Sequence, residues 1–119
     1  MNTDKEFVPY QPSLDMKEIG FDEPCLMYYD YSWTLIESGV YECKAPLYQQ
    51  AFRWLLKHHN LYGVIIPTET MNWTFKTMTV VEGIVEVPPY KHVDSNDYGT
   101  PEEAELACLI KLIEIVKTK

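Results

Sequence analysis

Two adjacent histidines and a nearby cysteine are the residues of this sequence best suited to acid–base, metal or nucleophilic chemistry. His58 and His59 lie near the end of a predicted helix, and Cys43 lies shortly before that helix. Adjacent helical residues point roughly 100° apart, so the two imidazoles cannot easily share one metal ion. A cysteine nucleophile needs a nearby base, which either histidine would supply. The structural interpretation is a half-buried histidine near a helix C-terminus, where positive charge is favoured.

The spacing of potential ligands predicts no metal site and no organic cofactor. The sequence has no glycine-rich phosphate loop, no HExxH and no closely paired cysteines. Three unpaired cysteines, Cys25, Cys43 and Cys108, are typical of reduced core residues. The loop that begins at Asp94 matches a calcium loop only in part, because Tyr98 falls at the fifth ligand position. A small hydrolase or transferase using Cys43 or Cys108 with a histidine stays as an alternative hypothesis.

Aromatic side chains supply a second kind of candidate site. They make up 13% of the 119 residues, and nine of them are tyrosines. A core of this size cannot hold every ring, so we expect some to be exposed on the sheet face away from the helices. An exposed aromatic patch rimmed by acids is typical of a protein-binding surface or a dimer interface. The predicted binding residues are Tyr29, Tyr31, Trp33 and Trp73.

Length and charge limit the class of protein. A chain of 119 residues with 46% hydrophobic and 24% charged residues predicts one globular α+β domain, with residues 1–6 loose. The net charge of −8 makes binding to nucleic acid unlikely, since phosphate backbones attract clustered Lys and Arg. No apolar run is long enough to span a membrane, and no signal peptide is visible, so we expect a cytoplasmic protein.

The elements that would position these residues begin with a central amphipathic helix. The segment from Ala45 to Gly63 predicts a helix over Leu47–Asn60, with Pro46 in its first turn and Gly63 just past its end. Its apolar side should be buried, and the largest members of that side are Trp54, Phe52 and Leu55.

Two further helices are indicated by their capping residues. Ser13 can cap a short N-terminal helix, Leu14–Ile19, which Gly20 would end. Thr100 followed by Pro101 and Glu103 predicts a longer helix from Pro101 to Val116. Leu109 and Ile113 lie on the face of the longer helix that should be buried.

The remaining segments alternate or are rich in β-branched and aromatic residues, which predicts strands. The predicted strands cover residues 25–31, 33–36, 40–43, 64–66, 72–81 and 84–87, the last ended by Pro88 and Pro89. We therefore expect an α+β fold with a mainly antiparallel sheet, two principal helices packed on one face, and a short N-terminal helix.

Several segments of the sequence resemble those of a group of small uncharacterised proteins. The segments are Phe21–Cys25, Lys44–Pro46 with Tyr48–Trp54, Leu61–Gly63 with Ile65–Pro67, and Glu102–Leu109 with Lys111–Glu114. The group recurs in bacteriophages, prophages and their bacterial hosts, and it has no assigned activity. The resemblance implies an intracellular protein of phage or mobile-element origin. Together with the aromatic surplus and the negative charge, it predicts a non-enzymatic accessory or host-modulating factor that binds a protein partner or forms a homodimer.

Overall fold

The chain has an α+β fold, as the sequence predicts. The computed structural model describes residues 6–81, 84–93 and 97–118. These residues form three helices and six strands: α1 (Tyr10–Glu18), β1 (Met27–Tyr29), β2 (Leu35–Ile36), β3 (Cys43–Ala45), α2 (Tyr48–His59), β4 (Leu61–Pro67), β5 (Trp73–Val81), β6 (Ile84–Val93) and α3 (Pro101–Lys117). The chain divides into two compact units, Met1–Ala51 and Phe52–Lys119, and the boundary falls within α2.

The strands form two antiparallel sheets, where a single sheet was expected. The first unit contains a sheet with the order β2-β1-β3, and the second contains a sheet with the order β4-β5-β6. Neighbouring strands pair antiparallel in both sheets. The second sheet is a meander, whereas in the first β2 and β3 flank β1. The predicted strand over residues 25–31 shortens to Met27–Tyr29, because the chain leaves the ladder for the turn that begins at Asp30.

The core of the first unit lies on one face of its sheet. Its buried members are Phe7, Tyr29, Cys43 and Ala45, and Tyr10, Leu14, Met27, Leu35 and Leu47 pack against them. The helix α1 packs against β3. It begins at Tyr10, earlier than predicted, because Ser13 lies inside the helix and does not cap it. The Ser13 hydroxyl donates instead to the Val8 carbonyl, at 2.9 Å, and is buried there.

In the second unit α3 packs against β4 and β5. The predicted cap is confirmed, because the Thr100 side chain accepts a hydrogen bond from the Glu103 amide at 3.2 Å. The Glu103 carboxylate reaches back to the amide of Gly99, one residue earlier than in a capping box. Of the side chains expected in the core, Phe52 is half-buried, and the others are buried: Trp54, Leu55, Leu109 and Ile113.

The central helix ends differently from the prediction. Asn60, with a φ of 56°, takes the left-handed position after α2, a conformation that Asn tolerates better than most residues. The chain then enters β4 at once, so Gly63 lies inside a strand and not at a helix end. Gly63 is needed there for space: a Cβ atom would lie 2.4 Å from Cys108 Sγ and 3.3 Å from Leu112 Cδ1.

The last strand also departs from the prediction. β6 continues through Pro88 and Pro89 to Val93, where the sequence suggested an end at Val87. Prolines are tolerated on an edge strand or at a bulge, and β6 is at the edge of its sheet. The register between β5 and β6 shifts at two places, between Thr77 and Met78 and between Met78 and Val80. These irregularities allow the ladder to continue past two residues without an N–H.

The contact at Gly63 gives a stability prediction. Gly63→Ala is expected to lower the free energy of unfolding by about 1–3 kcal/mol, because the new methyl group must displace a buried sulfur on α3. Removing that sulfur in the double variant Gly63→Ala with Cys108→Ala should recover part of the loss, and urea unfolding of the four proteins measures the coupling.

Gly99→Ala is the matched control for this prediction. A Cβ atom at Gly99 would lie 3.7 Å from its nearest neighbour, Glu103 Oε2, which is an ordinary contact. Its free energy of unfolding should therefore stay close to the wild-type value. Equal effects of Gly63→Ala and Gly99→Ala, or strictly additive effects in the double variant, would contradict the packing explanation.

Candidate protein-binding surface

The turn between β1 and β2 presents Trp33, the single tryptophan of the first unit, to solvent. The Asp30 amide donates to the Thr34 carbonyl and the Trp33 amide donates to the Asp30 carbonyl, both at 3.0 Å. These two bonds close a three-residue hairpin loop, Tyr31-Ser32-Trp33. The Asp30 carboxylate fixes the loop from inside, because one of its oxygens accepts from the Ser32 and Thr34 amides at 2.8 and 3.0 Å. Trp33 therefore belongs to the loop. The sequence had predicted a strand beginning at Trp33, but β2 begins at Leu35.

The same loop occurs between β4 and β5 in the second unit. The Thr68 amide donates to the Asn72 carbonyl at 2.9 Å, and the Met71 amide donates to the Thr68 carbonyl at 3.3 Å. The Thr68 hydroxyl takes the place of the Asp30 carboxylate and accepts from the Asn72 amide. At the tip of this loop, the Thr70 hydroxyl donates to Asp97 at 2.9 Å.

Both loops place a large apolar residue where glycine is preferred. The third residue of such a loop adopts the left-handed conformation, and Trp33 and Met71 do so with φ values of 66° and 64°. For a residue with a side chain this conformation costs about 1–2 kcal/mol. Both side chains are exposed, Trp33 at 68% and Met71 at 91%, so little burial offsets the cost. This strain is common to both loops, so it singles out Trp33 only together with the ring contact that holds its indole.

Trp33 is held in place by Tyr10 of α1. The two ring centroids are 5.4 Å apart with an interplanar angle of 32°. Tyr10 is fixed in turn: its hydroxyl donates to Glu42 Oε1 at 2.5 Å, and its ring meets that of Tyr29 edge-on at 5.7 Å. One side of the indole is thus backed by a fixed ring while the remainder faces solvent. We call the patch formed by the exposed Tyr31 and Trp33 and the half-buried Tyr10 and Glu42 the hairpin-tip surface.

The structure separates the four predicted binding residues. Tyr31 is 67% exposed and lies in the loop with Trp33. Tyr29 is only 8% exposed, and its hydroxyl donates to the Val8 carbonyl at 3.0 Å, so its assignment to an exposed surface is corrected to a core position. Tyr29 lies within β1 and points to the core face with Met27, whereas Tyr31 lies beyond the end of the strand, in the loop. Trp73 belongs to the second unit, where it is half-buried and its backbone pairs with Tyr98.

The candidate nucleophiles have the wrong electrostatics for that role. Burial raises the pKa of the Cys43 thiol to about 11 and that of the Cys108 thiol to about 12. A reactive cysteine needs a lowered pKa, which gives the thiolate at neutral pH. His58 is exposed and His59 half-buried, and both rings lie against Trp54 with centroids 5.2 and 5.0 Å away.

A cavity of about 300 Å³ lies next to the hairpin-tip surface in the first unit. Its lining includes two lysines, Lys17 and Lys44, and two carboxylates, Asp22 and Glu42. The Lys17 ammonium donates to the Glu42 carbonyl at 2.7 Å, and that of Lys44 pairs with Asp22 at 3.1 Å. The charges on the wall therefore balance, and both cations already have partners, so the cavity favours neither an anion nor a cation.

Among the described residues no group of three or more His, Cys, Asp or Glu side chains is arranged to hold a metal ion. Of the suspected calcium loop, residues 94–96 lie outside the described part, and Asp97 accepts the bond from Thr70. No helix within the described residues has the length and apolar character to cross a bilayer. Comparison of the chain with protein-family models, curated proteins and solved structures finds no match.

Sequence reasoning found Tyr31 and Trp33 but missed Tyr10 and Glu42. These two residues are 32 positions apart, and only the pairing of β1 with β3 and the packing of α1 bring them together. The loop position of Met71 was also not predicted, although the sequence carries a signal for it. Each loop of three residues follows a residue whose side-chain oxygen can accept from the turn, Asp30 in one case and Thr68 in the other, so the two turns share a pattern.

The bond between Tyr10 and Glu42 has a measurable consequence. The hydrogen bond to Glu42, together with burial and the negative charge of Glu42, raises the pKa of Tyr10 from 10.0 to about 12, against a smaller lowering by the Trp33 side chain. The sign follows: the bond's contribution to stability is complete below pH 10 and is lost as pH rises through 12. Glu42→Gln should return the pKa of Tyr10 towards 10.0, measured as the difference in tyrosinate absorbance between each protein and its Tyr10→Phe counterpart. An unchanged Tyr10 titration in Glu42→Gln would contradict the role given to that carboxylate.

Proposed function

We propose that this chain is a non-enzymatic interaction protein that binds a protein partner through the hairpin-tip surface. The observation that carries the proposal is Trp33, a 68% exposed indole that is held beside the Tyr10 ring in a left-handed loop position. A glycine would serve the turn better, and no core is filled by the indole. Trp is also the residue type most enriched where binding energy concentrates in protein interfaces.

Rigidity supports the same proposal. A binding side chain that is already fixed loses less conformational entropy on association, and each immobilised side chain costs about 0.5–1.5 kcal/mol otherwise. Trp33 is fixed by two hairpin-closing bonds below it and by the Tyr10 ring beside it. Tyr31 adds a second exposed ring on the same three-residue loop. A rigid indole next to a tyrosine suits a recognition surface.

The cellular setting is part of the proposal. On the resemblance of several sequence segments to small phage- and prophage-associated proteins, we propose an intracellular accessory or host-modulating factor of phage or mobile-element origin. The raised pKa values of Cys43 and Cys108 support binding over the alternative of a cysteine-dependent hydrolase or transferase.

Affinity capture from bacterial host lysate tests the proposal. The baits are the wild type, Trp33→Gly combined with Tyr31→Ser, and Met71→Gly. Trp33→Gly keeps the backbone conformation that the loop requires while removing the indole, so a loss of capture reports on the side chain. The double variant should lose at least one protein that the wild type retains.

Met71→Gly is the control, because it makes the same backbone change in the same kind of loop in the other unit. It should retain the proteins that the wild type retains. Identical captured proteins from all three baits would sink the assignment of the binding surface to Trp33 and Tyr31. Circular dichroism of each bait verifies that the comparison is made between folded proteins.

A further inference from the structure

The negative charge of the chain is concentrated in the unit that carries the hairpin-tip surface. Residues 6–51 contain eight acidic residues, two lysines and no arginine, whereas from residue 52 onward nine acidic residues are nearly balanced by seven basic ones. Both lysines of residues 6–51 are engaged within that segment, Lys17 with the Glu42 carbonyl and Lys44 with Asp22. The field around Trp33 is therefore set by carboxylates, and it attracts cations.

The geometry of the hairpin-tip surface suits a planar cation. The face of an indole attracts a cation through its ring quadrupole, and Trp is the strongest of the aromatic residues in this respect. Trp33 offers such a face because Tyr10 backs the ring on one side and 68% of the side chain is exposed. Glu42, bonded to the Tyr10 hydroxyl, adds a carboxylate to the same patch, and Asp30 lies at the base of the loop.

We propose that the hairpin-tip surface receives an arginine-bearing basic segment of the partner protein, with a guanidinium stacked on Trp33. The inference rests on the proposed function, which supplies a protein partner, and adds the chemistry of that partner. Arginine fits better than lysine, since its guanidinium is planar, stacks on aromatic faces and is more weakly hydrated. A second copy of this chain fits poorly, since two chains of net charge −8 repel each other.

Fluorescence anisotropy with defined peptides tests this inference. The probe is a short fluorescein-labelled peptide in which arginine alternates with glycine. Three peptides of equal length carry lysine, citrulline or leucine in place of arginine. Citrulline keeps the planar group and removes the charge, whereas lysine keeps the charge and removes the plane. The wild type should bind the arginine peptide most tightly, the lysine peptide less tightly, and the two neutral peptides weakest.

Variants locate the binding. Trp33→Gly should weaken binding of the arginine peptide about fivefold, which corresponds to a cation–π contribution of about 1 kcal/mol. Glu42→Gln should weaken it and flatten its dependence on ionic strength, because one attracting charge is lost. Val40→Ser is the matched control, since Val40 is an exposed apolar residue of the same acidic unit, and it should bind like the wild type.

The outcomes separate the inference from the proposed function. Equal affinity for the arginine and lysine peptides, or no effect of Trp33→Gly, overturns the stacking of a guanidinium on Trp33. Binding of the leucine peptide that depends on Trp33 overturns the inference and leaves the proposed function standing, with an apolar partner. A dimer in analytical ultracentrifugation that Trp33→Gly dissociates replaces the basic segment with a second copy. Absence of binding to all four peptides overturns the inference. The proposed function is then decided by the lysate capture experiment alone.

Discussion

The first unit is organised by one backbone constraint, the left-handed conformation of Trp33. The chain must reverse in three residues between β1 and β2, and the geometry of that loop requires a positive φ at its last position. The Asp30 carboxylate accepts from the Ser32 and Thr34 amides on either side of Trp33, the residue that takes the positive φ. In this loop the indole lies beside Tyr10, and the short bond from Tyr10 to Glu42 connects α1 to the residue preceding β3.

A different constraint organises the second unit, namely the close approach of α3 to β4. The absence of a side chain at Gly63 lets Cys108 lie against the strand backbone. That contact explains two features together: a glycine in the middle of an otherwise aliphatic strand, and a cysteine whose raised pKa comes from burial. Packing alone therefore explains Cys108 as a small core residue, and no chemical role is needed to account for it.

The sequence was sufficient for features that depend on local rules. Thr100, Pro101 and Glu103 begin α3 where capping preferences place its start, and the apolar faces of α2 and α3 contain the buried Trp54, Leu55, Leu109 and Ile113. These features follow from periodicity and from hydrogen bonds between residues three or four apart. Such rules hold before the tertiary structure is known.

The rest depended on contacts between distant residues. Gly63 was predicted to follow the helix end because glycine is common there, but Asn60 takes that position. Gly63 is instead required in β4 because Cys108 Sγ of α3 leaves no space for a side chain. Tyr29 looked equivalent to Tyr31, and only the pairing of β1 with β2 and β3 decides which ring enters the core. For the same reason the sequence predicted only half of the hairpin-tip surface. Its loop residues lie close together in the chain, whereas Tyr10 and Glu42 are brought to it by the tertiary structure.

The most direct test of the central claim is the free energy of unfolding of Trp33→Gly, measured beside Met71→Gly. If Trp33 serves a partner, relief of about 1–2 kcal/mol of left-handed strain offsets the loss of about 0.5–1.5 kcal/mol of stacking on Tyr10, and stability stays within about 1 kcal/mol of the wild type. Met71→Gly gives the same relief without a lost aromatic stack and should be the more stable of the two. A loss of about 3–5 kcal/mol in Trp33→Gly, the range for a buried aromatic residue, would contradict the claim and make Trp33 a part of the core.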